Sequence, residues 1–204
     1  MKLTIIGASG HGKVVAHIAE KCGYDEIEFL DDNESIDCCG KWRVVSPSSD
    51  AATVQNDLFI AIGDARIRSQ LMERFSDKHF PVLIHPSAVI ADDVEIGEGS
   101  VVMAGAVINP SVTIGRGCIV NTCSSVDHDC FIADFCHISV GTHLAGTVEV
   151  GTRTWISIGA SVVNDVSICA DCVIGAGAVV IKTIEKAGTY IGVPARKLTS
   201  HNDE

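Results

Sequence analysis

The chain has 204 residues, a net charge of −11 and 47% hydrophobic residues, which allows one or two modest domains with an aliphatic core. Its acidic excess argues against non-specific binding to nucleic acid or to anionic membranes. No stretch reaches the length of a signal peptide or a membrane span, so we expect a cytoplasmic protein. The nine cysteines are then best interpreted as free thiols.

The first eighty residues alternate between strand and helix patterns. KLTII predicts a buried strand, and GASGHGK leads into VVAHIAEKCG, a helix that ends at Gly23. EIEFLDD and DLFIAIGD predict two further strands, and ARIRSQLMERF predicts a second helix. Because βαβ alternation builds a parallel sheet, residues 1–80 are predicted to form a small Rossmann-like α/β domain.

The turn after the first strand spaces its glycines as G-x-x-G-x-G, at Gly7, Gly10 and Gly12. This differs from the G-x-G-x-x-G of dinucleotide folds, although such a turn still offers N–H groups and a helix N-terminus to a phosphate. Asp31 and Asp32 end the second strand, where a carboxylate can bind ribose hydroxyls or a base N–H. The domain fits one mononucleotide better than a dinucleotide, and a tight turn without ligand stays an equal alternative.

From Ile84 to Val180 every sixth residue is aliphatic, and the residue four positions after each is small. Neither a helix nor a hairpin sheet has a period of six, so the pattern predicts a parallel β-helix with one β-branched side chain per strand pointing inward. Glycines that follow the aliphatic positions are assigned to the turns because glycine has the greatest backbone freedom; they include Gly97, Gly115, Gly151 and Gly175.

The six-residue period also accounts for four cysteines. Cys118, Cys130, Cys136 and Cys172 all fall in the small inward position, where a thiol behaves as a compact hydrophobic group. Cys169 and Cys172 form a CxxC, but no second pair at zinc spacing exists. We therefore expect no metal site there.

The repeat [LIV]-[GAED]-x-x-[STAVC]-x resembles that of the hexapeptide-repeat acyltransferases. This resemblance implies a left-handed parallel β-helix with three hexapeptides per coil over residues 81–204. It also implies a homotrimer with active sites between neighbouring prisms. Handedness rests on the resemblance alone, because parallel crossovers are normally right-handed.

The order GASGHGK, LDD, FIAIGD and NTCSSVDHDC is similar to that of the bacterial nucleotide-sugar N-acetyltransferases and of the related sialic acid O-acetyltransferases. The resemblance implies acetyl-CoA-dependent acetylation of the 4-amino group of a nucleotide-linked 4-amino-4,6-dideoxy sugar, with UDP favoured. It implies substrate contacts at Ser9, Gly10, His11, Asp31, Asp32, Gly63 and Asn121. Contacts to acetyl-CoA are implied at His137, Gly146, Ile158, Ala176, Arg196 and Lys197.

In the VDHDC stretch, His128 is the third residue of its hexapeptide and lies at an outer turn. Residues eighteen apart stack, so Gly146 lies beside it in the next coil. The imidazole is suited to take the proton that a sugar amine loses, while the Gly146 N–H binds the thioester oxygen. Asp129 is the predicted ring partner and Asp127 the lesser choice. The alternative interpretation is that His128 is a solvent-exposed turn residue with no catalytic role.

Three alternatives stay open on the sequence. O-acetylation of sialic acid is close to the first hypothesis, although the nucleotide-like turn weighs against a free sugar. A zinc-dependent hydratase would use His128, His137 and His143 between subunits. A binding trimer without catalysis is the third. Direct transfer is favoured over a covalent route because no motif designates a nucleophile.

Overall fold

The computed structural model describes residues 1–199. The predicted second domain extends to residue 204, and its last five residues lie outside this range. No described helix is both long and apolar enough to cross a membrane. The nine cysteines are free thiols, and the Sγ atoms of Cys169 and Cys172 lie 3.5 Å apart without a bond between them.

A five-stranded sheet forms the centre of the N-terminal region, in the order β3-β4-β2-β1-β5. β1 pairs in parallel with both β2 and β5, as predicted. The bounds are β1 (Lys2–Ile6), α1 (Gly10–Lys21), β2 (Glu26–Leu30), β3 (Cys38–Cys39), β4 (Trp42–Ser46), a 3-10 helix (Ser48–Thr53), β5 (Asp57–Ile60) and α2 (Ala65–Arg74).

Two features of this region differ from the prediction. α1 begins at Gly10, inside the glycine-rich stretch, because its first turn follows directly from the N-cap residue Ser9. The antiparallel hairpin of β3 and β4 was missed, since its short strands carry no alternation of apolar and polar residues. The two helices and the three strands of the βαβ pattern are confirmed.

From Leu83 to Val180 the chain forms a parallel β-helix with a two- or three-residue strand every six residues, which confirms the period. Two further strands follow outside the period, and they pair antiparallel with each other. The strands are β6 (Leu83–Ile84), β7 (Val89–Ile90), β8 (Glu95–Ile96), β9 (Val101–Val102), β10 (Val107–Ile108), β11 (Thr113–Ile114), β12 (Ile119–Val120), β13 (Ser125–Val126), β14 (Phe131–Ile132), β15 (His137–Ile138), β16 (His143–Leu144), β17 (Glu149–Val150), β18 (Trp155–Ile156), β19 (Ser161–Val162), β20 (Ser167–Ile168), β21 (Cys172–Ile174), β22 (Val179–Val180), β23 (Gly188–Ile191) and β24 (Arg196–Lys197).

Successive coils stack in an eighteen-residue register, so Ile108 lies beside Val126 and Val126 beside Leu144. The strands separate into three sheets, one for each face of a triangular prism. Each face takes every third strand. Face one holds β6, β9, β12, β15, β18 and β21, continued by β23 and β24. Face two holds β7, β10, β13, β16, β19 and β22, and face three holds β8, β11, β14, β17 and β20. Inward aliphatic residues and the four inward cysteines fill one continuous core.

The turn glycines are required for a different reason from the predicted one. A Cβ on Gly97 would lie 2.5 Å from the backbone nitrogen of Arg116, and one on Gly115 would lie 2.3 Å from Asp134 Oδ1. Positive φ occurs two residues later, at Gly99 and at non-glycine residues such as Asp129. Close approach between coils, not backbone conformation, therefore selects glycine after the inward aliphatic position.

The N-terminal region packs against the lower coils of face one. Leu83, Val101 and Ile119 of face one belong to the same buried cluster as Leu3 and Val15 of the α/β region. Burial of a shared apolar surface is the main stabilising term in such a junction. The glycine-rich turn and α1 are thereby held on face one.

Candidate active site

The predicted site residues divide between face one and the corner opposite to it. Turns after β13 and β16 join face two to face three, and they carry His128, Asp129 and Gly146, named here the His128 corner. In a triangular prism this corner lies across the core from face one.

The His128 ring is held by a neighbouring carboxylate. Its Nδ1 lies 2.7 Å from Asp129 Oδ2, the predicted ring partner. This hydrogen bond raises the pKa of His128 above its ordinary value of 6.5, and the charge of Asp127 raises it further. The ring is 57% exposed, and Nε2 has no partner within residues 1–199. The free nitrogen is thus an acceptor that faces solvent.

Asp127 has a different contact. Its Oδ1 accepts hydrogen bonds from Asn109 Nδ2 at 2.7 Å and from the His128 N–H at 2.8 Å. The Asn109 bond is the first cause of the lowered pKa of this carboxyl. Asp127 therefore ties two coils together at the turn, while Asp129 holds the ring.

Gly146 lies directly beneath the imidazole. A Cβ at this position would be 2.6 Å from both Cε1 and Nε2 of His128, so no other residue fits under the ring. Its carbonyl accepts from the Thr147 hydroxyl at 2.7 Å and from the Asp165 N–H at 3.2 Å. Its own N–H has no acceptor in the described part of the chain. An exposed imidazole and an N–H without an acceptor therefore lie side by side at this corner.

A second group of side chains, named here the face-one cluster, consists of His11, Asn121, His137 and Trp155. The Asn121 amide nitrogen donates to His137 Nε2 at 3.1 Å, and Asn121 Oδ1 accepts from the Thr122 N–H at 2.7 Å. The Thr122 bond fixes the amide orientation, so Nε2 is the acceptor nitrogen of the ring. Trp155 stacks on His137 with ring centroids 5.9 Å apart and planes 5° apart.

The pKa values of the two histidines in the face-one cluster are lowered, whereas that of His128 is raised. Burial is the first cause that lowers the pKa of His137 to about 3, followed by the charge that His11 carries when protonated and by the charge of Arg68. Burial and Arg68 lower the pKa of His11 to about 4. His11 Nε2 is buried without a hydrogen-bond partner within residues 1–199. Both rings are therefore neutral at physiological pH.

The glycine-rich turn is compact because a Cβ on Gly12 would be 2.0 Å from the carbonyl oxygen of Gly7. Gly10 begins α1, and the Ser9 side chain makes no capping bond within residues 1–199. Asp31 Oδ2 accepts from the Ala8 N–H at 2.7 Å and so orders the turn from the end of β2.

Asp32 accepts from the backbone N–H and from the hydroxyl of Ser48, at 2.8 and 2.9 Å. Both predicted nucleotide contacts, Asp31 and Asp32, therefore also hold loops in place. Each carboxylate keeps lone pairs for a further donor.

A cavity of about 440 Å³ joins the α/β region to face one. Gly63, Asp64 and Arg66 line it on one side, and Phe135, His137 and Trp155 line it on the other. It connects a predicted nucleotide contact, Gly63, with a predicted acetyl-CoA contact, His137. Trp155 has no role in the sequence prediction, because β-branched and aromatic residues are both ordinary at outward strand positions.

The remaining predicted acetyl-CoA contacts lie elsewhere. Ile158 and Ala176 occupy exposed turns between faces one and two, where the Gly177 N–H donates to the Ile158 carbonyl at 2.9 Å. Arg196 and Lys197 form β24, an exposed strand antiparallel to β23.

The three histidines of the hydratase alternative lie apart in one chain. His128 is at the corner, His137 on face one, and His143 on face two, where its Nδ1 lies 2.8 Å from the Ser125 hydroxyl. Within residues 1–199 no three His, Cys, Asp or Glu side chains are grouped as metal ligands.

Comparison with known proteins agrees with this architecture. The PglD N-terminal domain matches residues 2–75, and the bacterial transferase hexapeptide of six repeats matches residues 80–109. The acetyltransferase domain of PglB from Neisseria gonorrhoeae FA1090, in complex with acetyl coenzyme A, is 40% identical, with a TM-score of 0.93 over 97% of this chain and 98% of that chain.

PerB from Caulobacter crescentus, in complex with CoA and GDP-perosamine, is 36% identical, with a TM-score of 0.93 over 98% of each chain. UDP-N-acetylbacillosamine N-acetyltransferase of Bacillus subtilis (strain 168) is 36% identical over 110 residues, which cover 50% of this chain. The matched residues span about half of that curated relative, 51% of its length. The chain belongs to the hexapeptide-repeat family of acetyl-CoA-dependent sugar N-acetyltransferases.

The neutral histidines of the face-one cluster predict an acid-sensitive fold. Because an unfolded chain protonates histidine near 6.5 while folded His11 and His137 titrate at about 4 and about 3, the unfolded state binds protons first as the pH falls. The free energy of unfolding should be highest above pH 6.5 and decrease by about 2 kcal/mol per histidine between about pH 7 and about pH 5. Urea denaturation at several pH values measures this decrease.

Variants of single histidines control this prediction. His11→Asn and His137→Asn should each flatten the dependence of unfolding free energy on pH, whereas His128→Asn should make it steeper, because the raised pKa of His128 adds stability as the pH falls. A wild-type free energy that is constant over the same pH range would contradict neutral burial of the two rings.

Proposed function

We propose that this protein transfers the acetyl group of acetyl-CoA to the 4-amino group of a UDP-linked 4-amino-4,6-dideoxy sugar, with His128 as general base. The observation that carries the proposal is the His128 corner, where a carboxylate-held imidazole with a free Nε2 lies against Gly146, whose N–H has no acceptor within residues 1–199. The pairing of a base with a donor is what aminolysis of a thioester requires.

The proposed reaction is a direct transfer. The uncharged sugar amine attacks the thioester carbonyl carbon, a C–N bond forms, and the Gly146 N–H donates to the developing oxyanion. Nε2 of His128 takes the proton from the attacking nitrogen, and Asp129 stabilises the imidazolium that results. Cleavage of the C–S bond expels the CoA thiolate, which takes the proton back from Nε2.

The substrate sites are proposed on the α/β region and face one. The glycine-rich turn and the start of α1 bind the diphosphate, with Ser9, Gly10 and His11 nearest to it. Asp31 and Asp32 bind the nucleoside. The cavity between Gly63 and His137 receives the sugar, with Asn121 beside His137. Among the relatives, the Bacillus subtilis enzyme is named for a UDP-sugar and PerB was solved with GDP-perosamine.

We further propose that the acting form is a homotrimer in which His128 of one subunit serves the face-one cluster of its neighbour. Support comes from the separation within one chain, since the His128 corner and face one lie on opposite sides of the prism core. Acetyl-CoA would then pass the exposed turns at Ile158 and Ala176, and Arg196 and Lys197 offer charge to its phosphates.

A panel of UDP-, dTDP- and GDP-linked 4-amino sugars tests the activity. Release of CoA from acetyl-CoA should be observed with one nucleotide-sugar and should fall by about two to four orders of magnitude in His128→Ala, because a general base is lost. His143→Ala, which removes another exposed histidine, should retain wild-type turnover. Equal turnover in His128→Ala would remove His128 from the mechanism, and turnover only on sialic acid would replace the proposed acceptor.

The pH dependence of kcat/KM tests the pairing of His128 with Asp129. Since the hydrogen bond from Asp129 raises the pKa of the base, Asp129→Asn should move the acid limb of the profile to lower pH. Its kcat should decrease by about tenfold or more, since the ring loses its carboxylate partner. Asp127→Asn should move the limb less. A limb that does not move in Asp129→Asn would contradict the pairing.

Mixed trimers test the shared site. In Gly63→Trp the indole has room to fill the cavity, because nothing lies within 4 Å of a Cβ at Gly63. Trimers of His128→Ala alone or of Gly63→Trp alone should be inactive. When the two kinds of subunit are mixed at random, roughly a quarter of wild-type activity should return, because about one site in four then combines an intact His128 from one subunit with an intact cavity from its neighbour. No recovery in mixed trimers verified by two affinity tags would place both halves of the site in one subunit.

A further inference from the structure

One buried charge lies at the junction of the two regions and has no part in the proposed proton transfer. The Arg68 side chain, on α2, is 1% exposed. It makes four hydrogen bonds, all to carbonyl oxygens: Gly117 at 2.7 Å, Ile62 at 2.7 Å, Gly63 at 3.0 Å and Phe135 at 2.9 Å. No carboxylate within residues 1–199 is hydrogen-bonded to it or within ion-pair distance.

Two of these carbonyls belong to equivalent turns of successive coils. Gly117 and Phe135 are eighteen residues apart, and both have φ near +60°. Stacking of the coils leaves their oxygens unused, because within residues 1–199 no backbone N–H donates to either one. Once α2 covers the turns, the oxygens need a donor from elsewhere, since a buried carbonyl without a partner is costly.

The other two carbonyls belong to the loop after β5. Ile62 and Gly63 share one Arg68 nitrogen, Nη1, and Gly63 lines the cavity. The same guanidinium therefore joins the cavity-lining loop to two coils of the prism. Only arginine offers enough N–H groups in a planar fork for four separate acceptors, and lysine offers three from one nitrogen.

The charge of Arg68 is balanced by carbonyl dipoles and not by an ion pair. Its field reaches the face-one cluster, where it is among the causes that lower the pKa of both His11 and His137. Protonation of His137 would place an N–H on Nε2, opposite the Asn121 amide nitrogen that now donates to it. Two donors facing each other would break the Asn121–His137 bond.

We propose that Arg68 is a positioning residue for acetyl transfer: it holds the Gly63 loop on the prism, and its uncompensated charge keeps a second positive charge off the face-one cluster. The inference rests on the proposed function, because it assigns the cluster and the cavity to the sugar. Arg68 itself touches no reacting atom. It acts through the loop and through the protonation state of His11 and His137.

The arginine was missed at the sequence level, although a signal exists. Arg68, Met72 and Phe75 are spaced by four and three residues and share one face of α2, and all three are buried. A charged residue on an apolar helical stripe is rare unless its charge is paired or solvated by polar groups. The pattern marks a buried cation but does not say which acceptors it meets.

Two substitutions separate the roles of the fork and the charge. Arg68→Lys keeps the charge and loses the fork, whereas Arg68→Met loses both; Arg74→Met, an exposed arginine at the end of the same helix, is the matched control. NMR of the imidazole Cε1–H groups follows the protonation of His11 and His137 with pH. Steady-state kinetics give KM for the nucleotide-sugar and the pH dependence of kcat/KM.

In the wild type, the His11 and His137 resonances should stay in their neutral positions down to about pH 5. In Arg68→Lys the two rings should still be neutral down to about pH 5. The KM for the nucleotide-sugar should rise by about tenfold, because the Gly63 loop is released. Arg68→Met should raise KM similarly, and at least one of the two rings should titrate at a higher pH than in the wild type, although burial still keeps it below its ordinary range. Arg74→Met should match the wild type in both readouts.

The outcomes that overturn the proposal do not depend on every variant folding. Ordinary titration of His11 and His137 in the wild type removes the electrostatic role, and an unchanged KM in Arg68→Lys removes the positioning role. A folded Arg68→Met in which neither ring titrates at a higher pH than in the wild type also contradicts the charge effect. If no sugar is acetylated, the proposed function fails, whereas the histidine titrations still decide the effect of Arg68.

Discussion

The eighteen-residue stacking register is the constraint on which the rest of the molecule depends. Two contacts of the candidate site join one coil to the next: His128 with Gly146, and His137 with Trp155. Because parallel strands stack at about 4.8 Å, a side chain on one coil meets the backbone or ring of the following coil directly. The same closeness excludes a Cβ at Gly97, Gly115 and Gly146, so the register decides both where glycine is needed and where a histidine has room.

Electrostatics divides the histidines into two kinds with opposite environments. His128 is exposed and held by a carboxylate, which raises its pKa, whereas His137 is buried near a cation, which lowers its pKa. A raised pKa suits a group that takes up a proton, and a neutral ring suits one that accepts a hydrogen bond from Asn121 throughout. The proposed trimer would bring these two environments together, with the base from one subunit and the neutral cluster from its neighbour.

Sequence reasoning was strongest where the chain repeats itself and weakest where a contact crosses between regions. The six-residue period predicted the strands and the inward cysteines, because the spacing is a direct record of the coil geometry. The turn glycines were placed correctly but explained wrongly, since spacing does not show whether a Cβ would meet the next coil. The β3–β4 hairpin and Trp155 left no pattern of their own.

The sequence alone determined the parallel β-helix, the small α/β domain before it, and the two candidate centres at VDHDC and at the glycine-rich turn. These follow from local signals: a period, a βαβ alternation and residue types at turns. Only the tertiary structure decided that His128 and face one lie on opposite sides of the prism, and that Arg68 meets four carbonyls drawn from both regions. The physical reason is that burial and electrostatic fields depend on which surfaces pack together. The amino-acid sequence contains no local pattern for the packing of the α/β region on the coils.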